Sequence, residues 1–234
     1  MSIPENIAAV RERLTAAAQR AGRRPEEIAL MAVTKTHPPE RIREAHAAGL
    51  RMFGENRVQE FAGKAPALAD LAGAEWHMIG HLQTNKAGKT VELFSAVDSV
   101  DSLKLTEKLD AAARALNKKL SVLIEINVGG EAVKSGLAPD SRELDDMLRS
   151  APRFEALEFR GLMTVPPFTD DPERARPYFR VLRELRDTIA ARKLPAIRME
   201  VLSMGMSHDF EVAIQEGSTC VRVGTAIFGE RTAV

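Results

Sequence analysis

Residues 27–38 read Glu-Ile-Ala-Leu-Met-Ala-Val-Thr-Lys-Thr-His-Pro, and the rest of the chain is organised around this stretch. Ile28, Leu30, Met31, Ala32 and Val33 form a short, nearly continuous apolar run, the mark of a strand covered on both faces, here spanning 28–35. Lys35 closes the strand. His37-Pro38-Pro39 stops it, and Pro38 biases His37 away from helix. A lysine at the end of a buried strand has two readings. Its stem can pack on the core while its ammonium reaches water. Alternatively, a depressed pKa makes it an amine that forms a Schiff base with an aldehyde.

Outward from this strand the pattern repeats. An amphipathic helix over 4–21, with Ile7, Val10 and Leu14 on one face and Gly22 as its stop, precedes it and is expected to pack outside the main sheet. Helices are then predicted over 39–48, 58–70, 86–94, 102–118, 140–151, 172–193 and 207–216, with Ser102 and Ser207 as N-caps. Strands are predicted over 51–56, 76–80, 96–100, 120–128, 157–165, 199–203 and 220–228. Strands and helices thus alternate about eight times with short connections, which implies a parallel sheet with helical crossovers. Eight such units in this length fit a single closed (β/α)8 barrel, a TIM-like α/β fold with an extra N-terminal helix, over 1–234. An open doubly wound sheet is the runner-up, but no G-x-G-x-x-G follows the first strand.

The composition narrows the function. Thirty-three basic and thirty-three acidic residues leave no net charge, so neither a nucleic acid nor a membrane surface is indicated as partner. The one cysteine excludes an internal disulfide and fits a reducing compartment. Met1-Ser2-Ile3-Pro4 opens no signal peptide and no apolar run approaches a membrane span, so a cytoplasmic location is expected. The histidines at 37, 46, 77, 81 and 208 match no metal-ligand spacing, and no metal site is expected.

In a (β/α)8 barrel the chemistry gathers at the C-terminal strand ends. There the chain places Lys35, Asn56, His77, Asn127, Met163, the run Ser203-Met204-Gly205-Met206-Ser207, and Arg222 to Thr225. Asn56 can equally cap the following helix, His77 can be a satisfied core histidine, and Met163 can be core filler. The run 203–207 puts a glycine between hydroxyl residues where a helix opens, which suits a phosphate dianion. Gly224-Thr225, after the eighth strand, repeats the pairing, and phosphate sites in these barrels use the loops after strands seven and eight. Arg222 stands between Val221 and Val223, where a buried guanidinium must be paired. A lysine, a phosphate cradle and an arginine at one mouth suggest pyridoxal 5′-phosphate (PLP).

These stretches, together with Ala32 to Thr36, Phe53-Gly54-Glu55-Asn56, Val58-Gln59-Glu60, Trp76 to Gly80, Leu82-Gln83, Asn85-Lys86, Lys134-Ser135-Gly136, Gly161-Leu162-Met163 and Val223 to Gly229, resemble the PLP homeostasis proteins, a group related to the N-terminal barrel of alanine racemase. The likeness runs from 32 to 229. It implies that PLP is held as an internal aldimine on Lys35. Ser203, Gly205, Ser207, Gly224 and Thr225 would hold the phosphate, with Met206 and Met163 among the contacts. Arg222 would face the pyridine nitrogen, and Asn56 and Asn127 would lie near the ring or substrate side. The family is thought to buffer and deliver PLP, with apo-PLP enzymes as recipients and no established turnover; a monomer is expected. A weak PLP-dependent amino-acid racemase is the alternative. Racemases of this fold use a tyrosine from an additional domain, whereas the single tyrosine here, Tyr178, lies on an outer helix and the chain closes at Val234. Lys134 reads either as a solvated loop lysine or as a mobile contact that captures the aldehyde in transit.

Overall fold

The computed structural model describes residues 2–131 and 135–230. Eight parallel strands close into a barrel in chain order. They are β1 (Ala29–Val33), β2 (Met52–Glu55), β3 (Glu75–Met78), β4 (Ala96–Val100), β5 (Leu120–Glu125), β6 (Leu157–Met163), β7 (Ile197–Ser203) and β8 (Cys220–Val223). Closure is made by β8 against β1, from Ala29 opposite Cys220 to Ala32 opposite Val223. The helices are α1 (Ile3–Arg20), α2 (Pro39–Ala47), α3 (Val58–Lys64), α4 (Ala87–Leu93), α5 (Leu103–Ala115), α6 (Arg142–Ser150), α7 (Arg176–Ala191), α8 (Phe210–Gln215) and α9 (Thr225–Phe228).

The extra helix α1 starts in a capping box between Ser2 and Glu5. Its apolar stripe, Ile3, Ile7, Val10, Leu14, Ala17 and Ala18, is buried, and α1 packs on α8 and α9. It thus covers the flank of the barrel on the side of the strand 7 and 8 loops.

Side chains of paired residues in a parallel sheet share a face, and that face recurs every second residue. Glu125 pairs with Met163, Met163 with Ser203, and Ser203 with Cys220. Two residues on from Cys220, Arg222 is opposite Met31. This face is the barrel interior, and the parity carries it on to Lys35, Asn56, Asn127 and Gly224 beyond their strand ends. At the β6 bulge, a Cβ on Gly161 would lie 1.9 Å from the Val201 carbonyl oxygen, so only glycine lets β6 and β7 approach there.

Several predicted boundaries shift for physical reasons. The strand predicted over 220–228 ends at Val223, and 225–228 is the short helix α9. Both Ile227 and Phe228 donate to the Gly224 carbonyl, and both side chains are buried, so tertiary packing overrides a strand-like sequence. The helix predicted from Ser207 begins at Phe210, after a turn over 207–209, and Ser207 is not its cap. Helix α3 stops at Lys64, short of the predicted 58–70, because Pro66 lacks an N–H to continue it. The N-cap of α3 is Arg57, without a side-chain bond, so Asn56 does not cap it. Ser102 does cap α5, accepting from the Leu105 amide.

Candidate functional site

Lys35 follows β1 at the barrel mouth, half-buried. A shallow pocket there is lined by Val33, Lys35, His37, Gly224 and Thr225, which joins the lysine to the loop after β8. The backbone on either side of Lys35 is clamped. Before it, the buried Thr34 hydroxyl donates to Glu55 at 2.7 Å, and Lys64 Nζ donates to the Thr34 carbonyl at 3.0 Å. After it, the Thr36 amide donates to Glu60 Oε1 at 2.6 Å, and Thr36 sits at φ 66°, a left-handed conformation that few non-glycine residues adopt. Lys64 joins the two sides, 3.0 Å from Glu55 and 2.6 Å from Glu60. Burial pushes the Glu55 pKa up, and the charge of Lys64 works against that rise. For Glu60 burial is outweighed by Lys64 and the Thr36 amide, and its pKa falls. This cluster was not foreseen as part of the site, although Glu60 and Lys64 lie one helical turn apart.

The loops after β7 and β8 are stitched together. The Ser207 hydroxyl oxygen accepts from the Gly224 and Ala226 amides at 3.2 and 3.3 Å, and the Arg222 amide donates to the Gly205 carbonyl at 2.9 Å. Gly205 has φ 94°, and a Cβ there would lie 2.5 Å from Ala213 Cβ and 2.9 Å from Phe210 Cα. The glycine therefore lets this loop lie flat on α8. The Met206 amide donates to Asp209 Oδ1 at 2.6 Å. Asp209 is buried, which raises its pKa against the pull of that amide. Thr225 is exposed at the rim.

Ser203 lies deeper. It is fully buried, and its hydroxyl oxygen accepts from Arg222 Nη1 at 2.7 Å. Arg222 Nη2 donates to the Thr164 carbonyl at 2.7 Å. The guanidinium is thus paired inside the barrel, with Asp98, Glu125 and Asp209 close enough to act on it; burial nevertheless lowers its pKa. His77 is the core histidine of the two readings, held by Asp98 at 3.0 Å. Burial depresses its pKa, but the Asp98 charge and hydrogen bond prevail, and the net shift is upward. Cys220, on the same inner face, is pushed up to about 12 by burial and by Asp98. Met163 is fully buried between Glu125 and Ser203.

Two expected residues stand to one side. Asn127 Nδ2 donates to the Glu131 carbonyl at 2.9 Å, bracing the turn after β5. Asn56 lines a separate cavity of about 260 Å³ with Arg57, Gln59, His81, Gln83 and Lys86. A Cβ on Gly80 would lie 2.4 Å from the Asn56 carbonyl oxygen, so that glycine admits the close approach of the β2 and β3 ends. Lys134 lies outside the described residues.

The closed barrel has the fold of a known class, and the family model described as "Alanine racemase, N-terminal domain" matches residues 6–232. Within that class the chain belongs to the pyridoxal phosphate homeostasis protein family. A protein of that name from Aquifex aeolicus is 47% identical over 99% of both chains. Another from Pseudomonas aeruginosa is 45% identical over 98% of this chain and 96% of its own. The structure of PipY from Synechococcus elongatus with PLP bound superposes with a TM-score of 0.84 at 36% identity, covering 97% of this chain and all of that one.

Proposed function

We propose that this protein binds PLP at the barrel mouth and serves PLP homeostasis, holding the cofactor in reserve and releasing it to apo-enzymes. The observation that carries the reading is the Lys35 pocket: a half-buried primary amine opens on the same pocket as Gly224 and Thr225. The donor set fits the group. Lys35 supplies the amine for reversible condensation with the aldehyde, a water leaving. Ser207 and Thr225 supply hydroxyls for the phosphate, with the Gly224 amide holding Ser207 in place and Gly205 shaping the loop beneath. Asn56 and Asn127 stand to one side of these donors, Met163 is buried between Glu125 and Ser203, and Met206 belongs to the loop that Gly205 shapes. Ser203 acts through Arg222, whose guanidinium it holds in place. Similarity to PipY, which is solved with PLP bound, supports the same assignment.

Bound to an enzyme, PLP supplies an electron sink for carbanions, strongest when its ring nitrogen is protonated. Arg222 counters this. An arginine keeps its charge and can only donate, so a ring nitrogen facing it must accept and stay unprotonated. That favours storage over turnover and counts against the racemase alternative.

The test is Lys35→Ala. Wild-type protein loaded with PLP should show the visible band of a lysine-bound aldehyde, and borohydride should fix the label on the peptide containing Lys35. The variant should lose both, retaining only weak, non-covalent binding. A variant that keeps a covalent label at wild-type stoichiometry sinks the assignment. The carrier role is checked by transfer to an apo-enzyme: PLP must reach it faster than after dissociation into free solution.

A further inference from the structure

Glu125 ends β5 on the interior face of the barrel, in register with Met163, whose next neighbour Ser203 holds Arg222. Parity places it on the same interior face as Asn127 and Arg222. The residue is only 9% exposed, and its Oε2 is buried with no hydrogen-bond partner among the described residues. Buried polar atoms are nearly always satisfied, and an orphan on the barrel's inner face calls for a partner that the described residues do not provide. Three ionisable groups on neighbouring elements act on it. Asp101 follows β4, His81 follows β3 and is 3.1 Å from Asp101, and Arg222 comes from β8.

Building on the PLP reading above, we propose that Glu125 is a ligand-contacting residue of the site, whose Oε2 bears a proton and donates it in a hydrogen bond to an acceptor oxygen of the bound ligand. An anion-bearing cofactor offers several acceptors, and a carboxylate in its ionised form would repel them all. The carboxyl group is suited to keeping its proton: burial and the nearby Asp101 raise its pKa to about 7, against the pull of Arg222 and His81. The consequence is a coupling between proton and ligand. Ligand binding favours the neutral acid, and loss of the proton weakens the grip.

The experiment compares PLP dissociation constants of wild type, Glu125→Gln and Glu125→Leu from about pH 6 to 8.5, with borohydride mapping of the adduct in each. Glutamine keeps a neutral donor and cannot ionise; leucine keeps the volume and cannot donate. The ratio of wild-type to Gln dissociation constants should stay near unity on the acid side and rise about tenfold per pH unit above about pH 7 until it levels off. Leu should bind several-fold more weakly at every pH. Parallel profiles for wild type and Gln, or Leu binding as well as wild type, overturn the role of Glu125 while the adduct on Lys35 leaves the cofactor reading intact. A wild-type adduct on another lysine removes that reading and this one with it.

Discussion

Lys64 Nζ lies 3.0 Å from the carbonyl oxygen of Thr34, the residue immediately before the candidate Schiff-base lysine. The same ammonium is ion-paired with both Glu55 and Glu60, and Glu60 holds the amide immediately after that lysine. One buried cation therefore fixes both peptide groups flanking Lys35, including the left-handed Thr36. Strain at such a residue persists only where its surroundings over-determine it.

Lys64→Met should therefore be severe. It leaves the buried Glu55 without its counter-charge and frees the Thr34 carbonyl, a loss of about 3–5 kcal/mol. Glu60→Gln should cost only about 1 kcal/mol, because an amide oxygen can still accept from Thr36. Urea denaturation of the two variants checks the contrast. Similar, small losses in both would show that the cluster holds nothing in place.

Gly205 and Gly224 flank the same loops but meet different neighbours. An alanine at 205 must fit a Cβ 2.5 Å from Ala213 and adopt φ 94°. Its expected cost is about 2–4 kcal/mol, from overpacking and backbone strain together. An alanine at 224 meets Val33 at 3.5 Å, ordinary contact. Gly224→Ala should leave the denaturation midpoint within about 0.5 kcal/mol of wild type. If the amide edge at 224–226 holds phosphate, the same variant should bind PLP more weakly. Unchanged binding in Gly224→Ala would remove this edge from the site.

His77 and Asp98 give a pH-dependent test. The histidine's folded pKa is raised, so its pairing adds stability that is fully present below its unfolded pKa and fades as pH rises through the folded one. Asp98→Asn removes the charge that sustains the shift and leaves burial to dominate. The His77 titration, followed by NMR of its ring, should then move below the ordinary histidine range. A titration that stays raised in the variant would mean that Asp98 is not its cause.

The barrel was legible because eight apolar runs end in turn signals and alternate with helical periodicity. Lys35, Arg222 and the glycine-hydroxyl loops were legible because their residue types are unusual at strand ends. The clamp was not: Glu55 and Glu60 stand out only as members of the family motifs, and only the packing of α3 over the end of β1 turns Lys64 toward Thr34. Glu125 was missed as well, though a signal existed. It lies two residues before Asn127, so strand parity aims both at the same interior, and an acid at that parity in an apolar strand cannot be solvated. Helix α9 stayed hidden because Val-Gly-Thr-Ala-Ile-Phe reads as strand until α1 is there to bury Ile227 and Phe228.

Glu125 also predicts how the ligand-free protein answers to pH. Its folded pKa of about 7 lies above its ordinary value of 4.5. The folded state therefore binds this proton more tightly than the unfolded chain does, and stability falls as pH rises between those two values. The gap of about 2.5 units corresponds to about 3 kcal/mol. In Glu125→Gln no proton is released, and this loss disappears. The stability of the variant relative to wild type should therefore grow by about 3 kcal/mol from about pH 4.5 to 8, measured by urea denaturation at several pH values. The sign separates two roles. A glutamate kept as the counter-ion of Arg222 would make the Gln variant progressively less stable than wild type as pH rises. A neutral acid in a dry pocket makes it progressively more stable. A difference that does not change with pH would show that Glu125 ionises as freely in the barrel as in water.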